Sequence, residues 1–261
     1  MDDLGAARTA ELAAMRRAAT VAHEFNGGWA VRHAELPDVW DLNRVHVCAS
    51  APRSADALHA LAEEWLGDLG HRRVVLDDAD GAERLAATLE GRGWETRRRL
   101  FMAFRGRPDA LVDDSRVRTL SEAELVSVQR AVFCELAGDR AADGARLTAT
   151  AAALRAGTEA VGFGAGETGA PGLSSTATLF LHPDIGGRRI AVIDAVATLR
   201  AARERGLGRA VTCAAVRTAA DRGADLITLA ADAEDWPQLM YHALGFRALG
   251  RQLILDRRTP R

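Results

Sequence analysis

Val196-Ala-Thr-Leu-Arg-Ala-Ala-Arg203-Glu-Arg-Gly206-Leu-Gly208-Arg-Ala210, followed downstream by Asp235-Trp-Pro-Gln-Leu-Met-Tyr241-His-Ala-Leu-Gly245-Phe246, decides how the chain is read. The first stretch is the end of an apolar strand running into Arg-x-x-Gly-x-Gly at a helix start. A helix N-terminus offers unpaired backbone N–H groups and the positive end of the helix dipole. Phosphates bind there when the backbone can come close. Gly206 and Gly208 remove the Cβ atoms that would block that approach, and Arg203, Arg205 and Arg209 add positive charge beside Glu204. The second stretch reads as a helix carrying the only tyrosine of the chain. Asp235 reads as its N-cap, and Pro237 is tolerated in the first turn. Leu239, Met240, Ala243 and Leu244 read as its packing face, with Tyr241 between them and the polar side. Without context that tyrosine reads as an ordinary core residue.

Other phosphate motifs fit poorly. A Walker loop needs lysine, and the sequence contains none. A dinucleotide fingerprint wants a small residue where Val211 stands. Gly162-x-Gly164-x-Gly166 is followed by Glu167, which reads as part of a loop over 164–173.

Working outward, the spacing predicts a helix over 6–23, strands over 29–33 and 39–47, and a helix from Ser54 through Leu69 with Gly70 past its end. A strand over 73–76, a helix over 81–91 and a strand over 96–104 follow. The Gly- and Pro-containing stretch 106–115 reads as a linker between a domain at 1–105 and a domain at 116–261. Beyond it come a strand from Arg116, helices over 121–137 and 140–155, and strands over 159–164, 175–182 and 189–199. Asp184-Ile-Gly-Gly reads as a hairpin turn. A helix over 206–222 with Gly223 at C′, a strand over 225–231, the Tyr241 helix and a strand over 249–255 complete an α/β pattern.

The two halves share a weak repeat. A shift of 152 places Val74-Val-Leu-Asp-Asp-Ala-Asp80 over Leu226-Ile-Thr-Leu-Ala-Ala-Asp232, and Gly93-Trp94 over Gly245-Phe246. The first copy lacks the chemistry: Leu89 stands where Tyr241 should be, and Ala51-Pro-Arg-Ser54 where the glycine turn should be.

Composition sets limits. The chain has 261 residues, 48% of them hydrophobic and 27% charged, with formal net charge −2. That balance gives no reason to expect a nucleic-acid partner. Met1-Asp-Asp-Leu does not open a signal peptide, and no apolar run suits a membrane span, so a cytoplasmic protein is expected. Cys48, Cys134 and Cys213 read as free thiols. The histidines, His46 and His242 among them, form no metal constellation at motif spacing, so no metal is expected.

From about Arg116 to Leu255 the chain resembles the GNAT family of acyl-CoA N-acyltransferases. The whole resembles tandem members whose first copy has lost the cofactor motifs. The resemblance implies a mixed central sheet flanked by helices, preceded by a smaller degenerate GNAT-like domain. It implies acetyl-CoA as co-substrate. Its pyrophosphate would lie on Arg203, Gly206 and Gly208 with backbone donors around Leu207 to Ala210. Its pantetheine arm would lie along Val196, Ala197 and Thr198. The family's Tyr-x-x-Leu-Gly-Phe helix maps onto Tyr241, Leu244, Gly245 and Phe246, and that tyrosine usually protonates the leaving thiolate. Two departures stand out: Arg200 where many members have proline, and Glu234 near a position that is usually asparagine.

Acyl transfer needs a neutral amine, a polarised carbonyl and a protonated leaving thiolate. Asp194 is the candidate base. Its even spacing from Val196 and Thr198 predicts that all three share one face of a strand. Its alternative is a pairing with an arginine of a neighbouring strand, and Glu135 is the second candidate. A backbone N–H near Val196 to Thr198 would polarise the carbonyl. The expected acceptor is a small-molecule or peptide amine, attacking directly without a covalent enzyme intermediate. A homodimer is among the expected assemblies. Competing readings are a non-catalytic acyl-CoA-binding or regulatory module and a nucleotide-binding protein.

Overall fold

Short polar caps set where several helices begin. In the computed structural model, which describes residues 1–48, 54–77, 79–111, 115–138, 141–166 and 172–259, Asp2 accepts the Gly5 N–H at 2.7 Å and opens α1 (Asp3–Ala18). Ser54 accepts the Ala57 N–H at 3.1 Å and opens α2 (Ala55–Leu66). Ser121 and Glu124 form a reciprocal capping box at the start of α4 (Glu122–Ala137). The remaining helices are α3 (Ala79–Glu90), α5 (Ala141–Gly157), α6 (Leu207–Asp221) and α7 (Pro237–Ala243). The strands are β1 (Val21–Phe25), β2 (Gly28–Arg32), β3 (Arg44–Val47), β4 (His71–Leu76), β5 (Glu95–Phe104), β6 (Val117–Leu120), β7 (Glu159–Ala165), β8 (Ser175–His182), β9 (Ile190–Thr198), β10 (Leu226–Asp232) and β11 (Phe246–Arg258).

Among the described residues these strands form one sheet in the order β1-β2-β3-β4-β11-β5-β10-β9-β8-β7-β6. Only β3/β4 and β9/β10 are parallel pairs. The last strands of the two halves are exchanged. β5 pairs with β10, while β11 pairs with β4, and the two exchanged strands pair with each other. The 152-residue shift carries the pair Arg99–Gln252 onto Leu100–Arg251, which is also a pair. The halves therefore meet about a pseudo-twofold axis between β5 and β11. α2 and α6 begin 152 residues apart as well, at Ala55 and Leu207.

The exchange is written into both cores. Met102 and Phe104 of β5 pack with Leu179, Ile193, Leu207, Val211, Leu229 and Tyr241. Leu253 and Leu255 of β11 pack with Val45, Leu58, Leu66, Val74 and Trp94. β11 is tied further by Asp256, which accepts from Arg73 Nε at 2.7 Å and Nη2 at 2.9 Å in a buried fork. Half-buried Glu11 of α1 accepts from Arg99 of β5 and Arg44 of β3, so one carboxylate ties α1 to strands of the sheet.

Some boundaries differ from the sequence reading. The first helix stops at Ala18, not 23. There the chain turns extended at Ala19, Thr20 hydrogen-bonds to Arg32, and Val21 begins a strand against Arg32. β-branched residues favour that extended state. The strand expected over 39–47 is confined to Arg44–Val47, and Trp40–Leu42 ahead of it form a short 3-10 turn. Gly67, not Gly70, follows the last turn of α2. Ala51 to Arg53, residues 112–114 of the expected linker, and 167–171 of the glycine-rich loop lie outside the described residues.

Candidate active site

β9 and β10 run together only from Ile190/Leu226 to Ile193/Leu229. Beyond that point β9 stays on β8, and Ala230 to Asp232 of β10 stay on β5. The sheet therefore opens between Asp194–Thr198 and Ala230–Asp232. A bulge sharpens the opening. Thr178 pairs with Asp194 and Thr176 with Ala197, so Ala195 and Val196 together oppose Ala177. Ala195 has φ 54°, a left-handed conformation that costs on the order of 1 kcal/mol for a residue with a Cβ. The Asp194 carboxylate accepts the Ala195 N–H at 2.7 Å and holds this turn. The bulge also breaks the alternation. Asp194 lies in phase with Ala197, so Asp194, Val196 and Thr198 do not share one face as the spacing predicts.

The end of β9 folds directly onto the start of α6. Gly206 caps that helix in the left-handed region, with φ 78°. A Cβ added at Gly208 would lie 3.2 Å from Thr198 Oγ1 and 4.0 Å from Met240 Sδ. Gly208 is thus the point where the strand end, α6 and α7 converge. The N–H groups of Leu207, Gly208 and Arg209 belong to the unpaired first turn of α6. Leu207 and Ala210 bury their side chains beneath the turn, while Glu204, Arg205, Gly206 and Arg209 are exposed. Arg203 is half-buried and donates from Nε to the Thr198 carbonyl at 3.3 Å. Arg116, which the sequence reading did not single out, donates to the Arg205 carbonyl at 3.1 Å and reaches Gly206. It adds a further guanidinium to this anion-suited end. Glu135 faces the turn: its carboxylate accepts the Arg200 N–H, which makes it a support for the loop after β9.

Tyr241 is buried on α7, edge-on to Phe246 at 5.9 Å. Its hydroxyl has no hydrogen-bond partner among the described residues. Burial, and next the Asp194 carboxylate, push the phenol's pKa up. The two candidate residues thus sense one another across the opening. Asp194 is exposed through the cleft, yet the surrounding protein penalises its charge and raises its pKa. The Ala195 N–H and Arg99 oppose that rise, while Glu11 and Asp41 add to it. Behind Asp194, buried Gln129 of α4 donates to Thr178 at 3.0 Å and accepts from Arg155 at 2.8 Å.

The α7 details differ from the sequence reading. Trp236 occupies the N-cap, and Asp235 accepts only the adjacent Trp236 N–H at 2.7 Å. Leu239 is 69% exposed and Ala243 is exposed too, so the helix packs through Met240, Tyr241 and Leu244. With seven residues, α7 is too short to bury a broader face.

A split between parallel strands beside a bulge, ending on a glycine-opened helix, is a recurrent architecture. Residues 172–254 match the family model described as FR47-like protein. The whole chain superimposes on a GCN5-related N-acetyltransferase from Kribbella flavida, with 19% identity and TM-score 0.62 over 98% of this chain and 96% of that one. The chain has the GNAT fold. A functionally unknown conserved protein from Staphylococcus epidermidis shares that architecture at 13% identity and TM-score 0.72, over 91% of this chain and 93% of that one. A tandem GNAT protein from the clavulanic acid biosynthesis pathway aligns at 14% identity and TM-score 0.53, over 79% of this chain and 69% of that one. No curated protein matches the sequence. Among the described residues, no helix of this GNAT fold is long and apolar enough to cross a membrane.

Proposed function

We propose that the chain is an acetyl-CoA-dependent N-acetyltransferase that acts on a primary amine of a small-molecule or peptide acceptor. The observation that carries this reading is the opening between β9 and β10, which joins a bulged strand, the α6 N-terminus, Asp194 and Tyr241 in one cleft. The residues present suit coenzyme A. Gly206 and Gly208 keep Cβ atoms away from the α6 N–H groups, and Arg116, Arg203, Arg205 and Arg209 surround them. Past Ile193 the β9 backbone is no longer paired to β10, which leaves room for an extended pantetheine arm along Val196 to Thr198, although the Ala197 and Thr198 carbonyls also accept from Ser175 and Arg203.

The chemistry follows from these positions. Asp194 takes the ammonium proton, through water, so that the amine nitrogen attacks the thioester carbonyl. Its raised pKa makes it a better base than an ordinary aspartate. A bulge N–H near Val196 stabilises the charge developing on the carbonyl oxygen. Tyr241 donates its proton to the departing sulfur. Burial keeps the phenol protonated, but transfer to a thiolate of ordinary pKa ~8.5 is uphill, so its contribution falls at the low end for general acids, about 10²-fold.

A thiol-release assay with acetyl-CoA and a panel of amines tests the reading. Turnover with at least one amine is expected. Tight binding of acetyl-CoA without turnover on any amine would instead support a binding or regulatory module.

A further inference from the structure

The first half carries a second cluster, at the end of the described β3–β4 pairing. Strand register sets His46 opposite Val75 as Ala191 is set opposite Ile227, so the cluster lies at the level where the β9–β10 pairing ends. Here β3 and the end of β4 bring together His46, Cys48 and Asp77, whose ligand atoms all lie within 4.8 Å of one another. Asp77 Oδ2 lies 3.0 Å from His46 Nε2. Its other oxygen is held from behind, accepting from Gln252 Nε2 at 2.8 Å with Arg8 Nε at 3.6 Å. His46 is 1% exposed, and its Nδ1 is buried without a partner among the described residues. A plain His–Asp pair gives the neighbouring thiol no role.

We propose that His46, Cys48 and Asp77 form a binding site for a divalent transition metal of the zinc class. Imidazole, thiolate and carboxylate together select a borderline-soft ion over magnesium or calcium. Gln252 and Arg8 on the far carboxylate oxygen are the orienting partners that such sites use. Cys48 is half-buried, which leaves an entry path to solvent. Binding replaces the His46–Asp77 hydrogen bond with bonds from one imidazole nitrogen, one carboxylate oxygen and Sγ to the ion. The Cys48 proton passes to solvent, no group is oxidised or reduced, and the fourth position takes water.

The full chain, stripped with a chelator, is titrated with Co²⁺. The expected result is a thiolate-to-cobalt charge-transfer absorption that saturates at one ion per chain, is displaced by Zn²⁺, persists in Cys134→Ser and is absent in Cys48→Ser. Its absence in the unmodified chain, or its survival in Cys48→Ser, overturns the site. A second measurement needs no variant. Zn²⁺ should protect Cys48, but not Cys134, from alkylation read by peptide mass, and an unprotected Cys48 overturns the proposal.

Discussion

The β3–β4 seam and the β9–β10 seam come from the same repeat, yet different side chains gather at their ends. Both are parallel, and both precede helices that start 152 residues apart. In the first, the described pairing runs from Val45/Val74 to Val47/Leu76, and His46, Cys48 and Asp77 gather at its end. The Asp77 N–H reaches the Val47 carbonyl at 3.1 Å, and the Cys48 N–H is taken by Gly27 at 2.9 Å. In the second, pairing stops at Ile193/Leu229, while β9 continues to Thr198 and bulges at Ala195. The repeat thus places a glycine-opened helix and Tyr241 at one seam and a His–Cys–Asp cluster at the other, on the same strand framework.

The largest expected effect concerns the strand exchange that joins the halves. Asp256→Ala removes the two-point partner of buried Arg73 between β11 and β4 and leaves it Asp41. Stability should fall by about 3 kcal/mol, the low end for a broken buried ion pair, because Arg73 keeps one carboxylate. A loss under ~1 kcal/mol in denaturant unfolding, no more than a surface pair is worth, would mean that β11 is not anchored in the first half.

Next comes Tyr241→Phe, which keeps the ring and its contact with Phe246. Turnover should drop about 10²-fold with melting temperature and acetyl-CoA affinity little changed. Wild-type turnover would reduce Tyr241 to a core residue equivalent to Leu89 in the other half.

Gly208→Asp follows, placing a Cβ and a negative charge where Thr198, α6 and α7 converge. Acetyl-CoA affinity should fall at least about tenfold, or ~1.4 kcal/mol. Unchanged affinity by calorimetry would move the pyrophosphate elsewhere.

The smallest effect is on pH dependence. Burial would raise Glu11, but Arg99 and Arg44 prevail and hold its pKa at about 2, below the ordinary 4.5. Its contribution is therefore complete above pH 4.5 and is lost as pH falls toward 2. Unfolding free energy across that window should vary less in Glu11→Gln. An equal slope in both proteins would show that α1 is not tied to the sheet through this carboxylate.

The sequence carried the elements and the glycine turn because those signals are local. Gly206 and Gly208 lie on one turn, and the strands over 175–182 and 190–198 are runs rich in apolar and β-branched residues. The 152-residue shift even placed α2 over α6. What stayed hidden depends on partners. β5 and β11 have similar patterns, so nothing local says which seam each will join. The bulge falls on Ala195, which carries none of the glycine signal that marks most left-handed turns. Arg116 lies far from Gly206 in the chain, and Asp77 far from His46, so neither pairing leaves a spacing motif.

The comparison of the two seams reduces to a count. Isothermal titration of the full chain with acetyl-CoA should give one site per chain, and Gly208→Asp should remove or weaken that site alone. Two sites per chain, or a single site insensitive to Gly208→Asp, would contradict the claim that only the opened β9–β10 seam holds the cofactor.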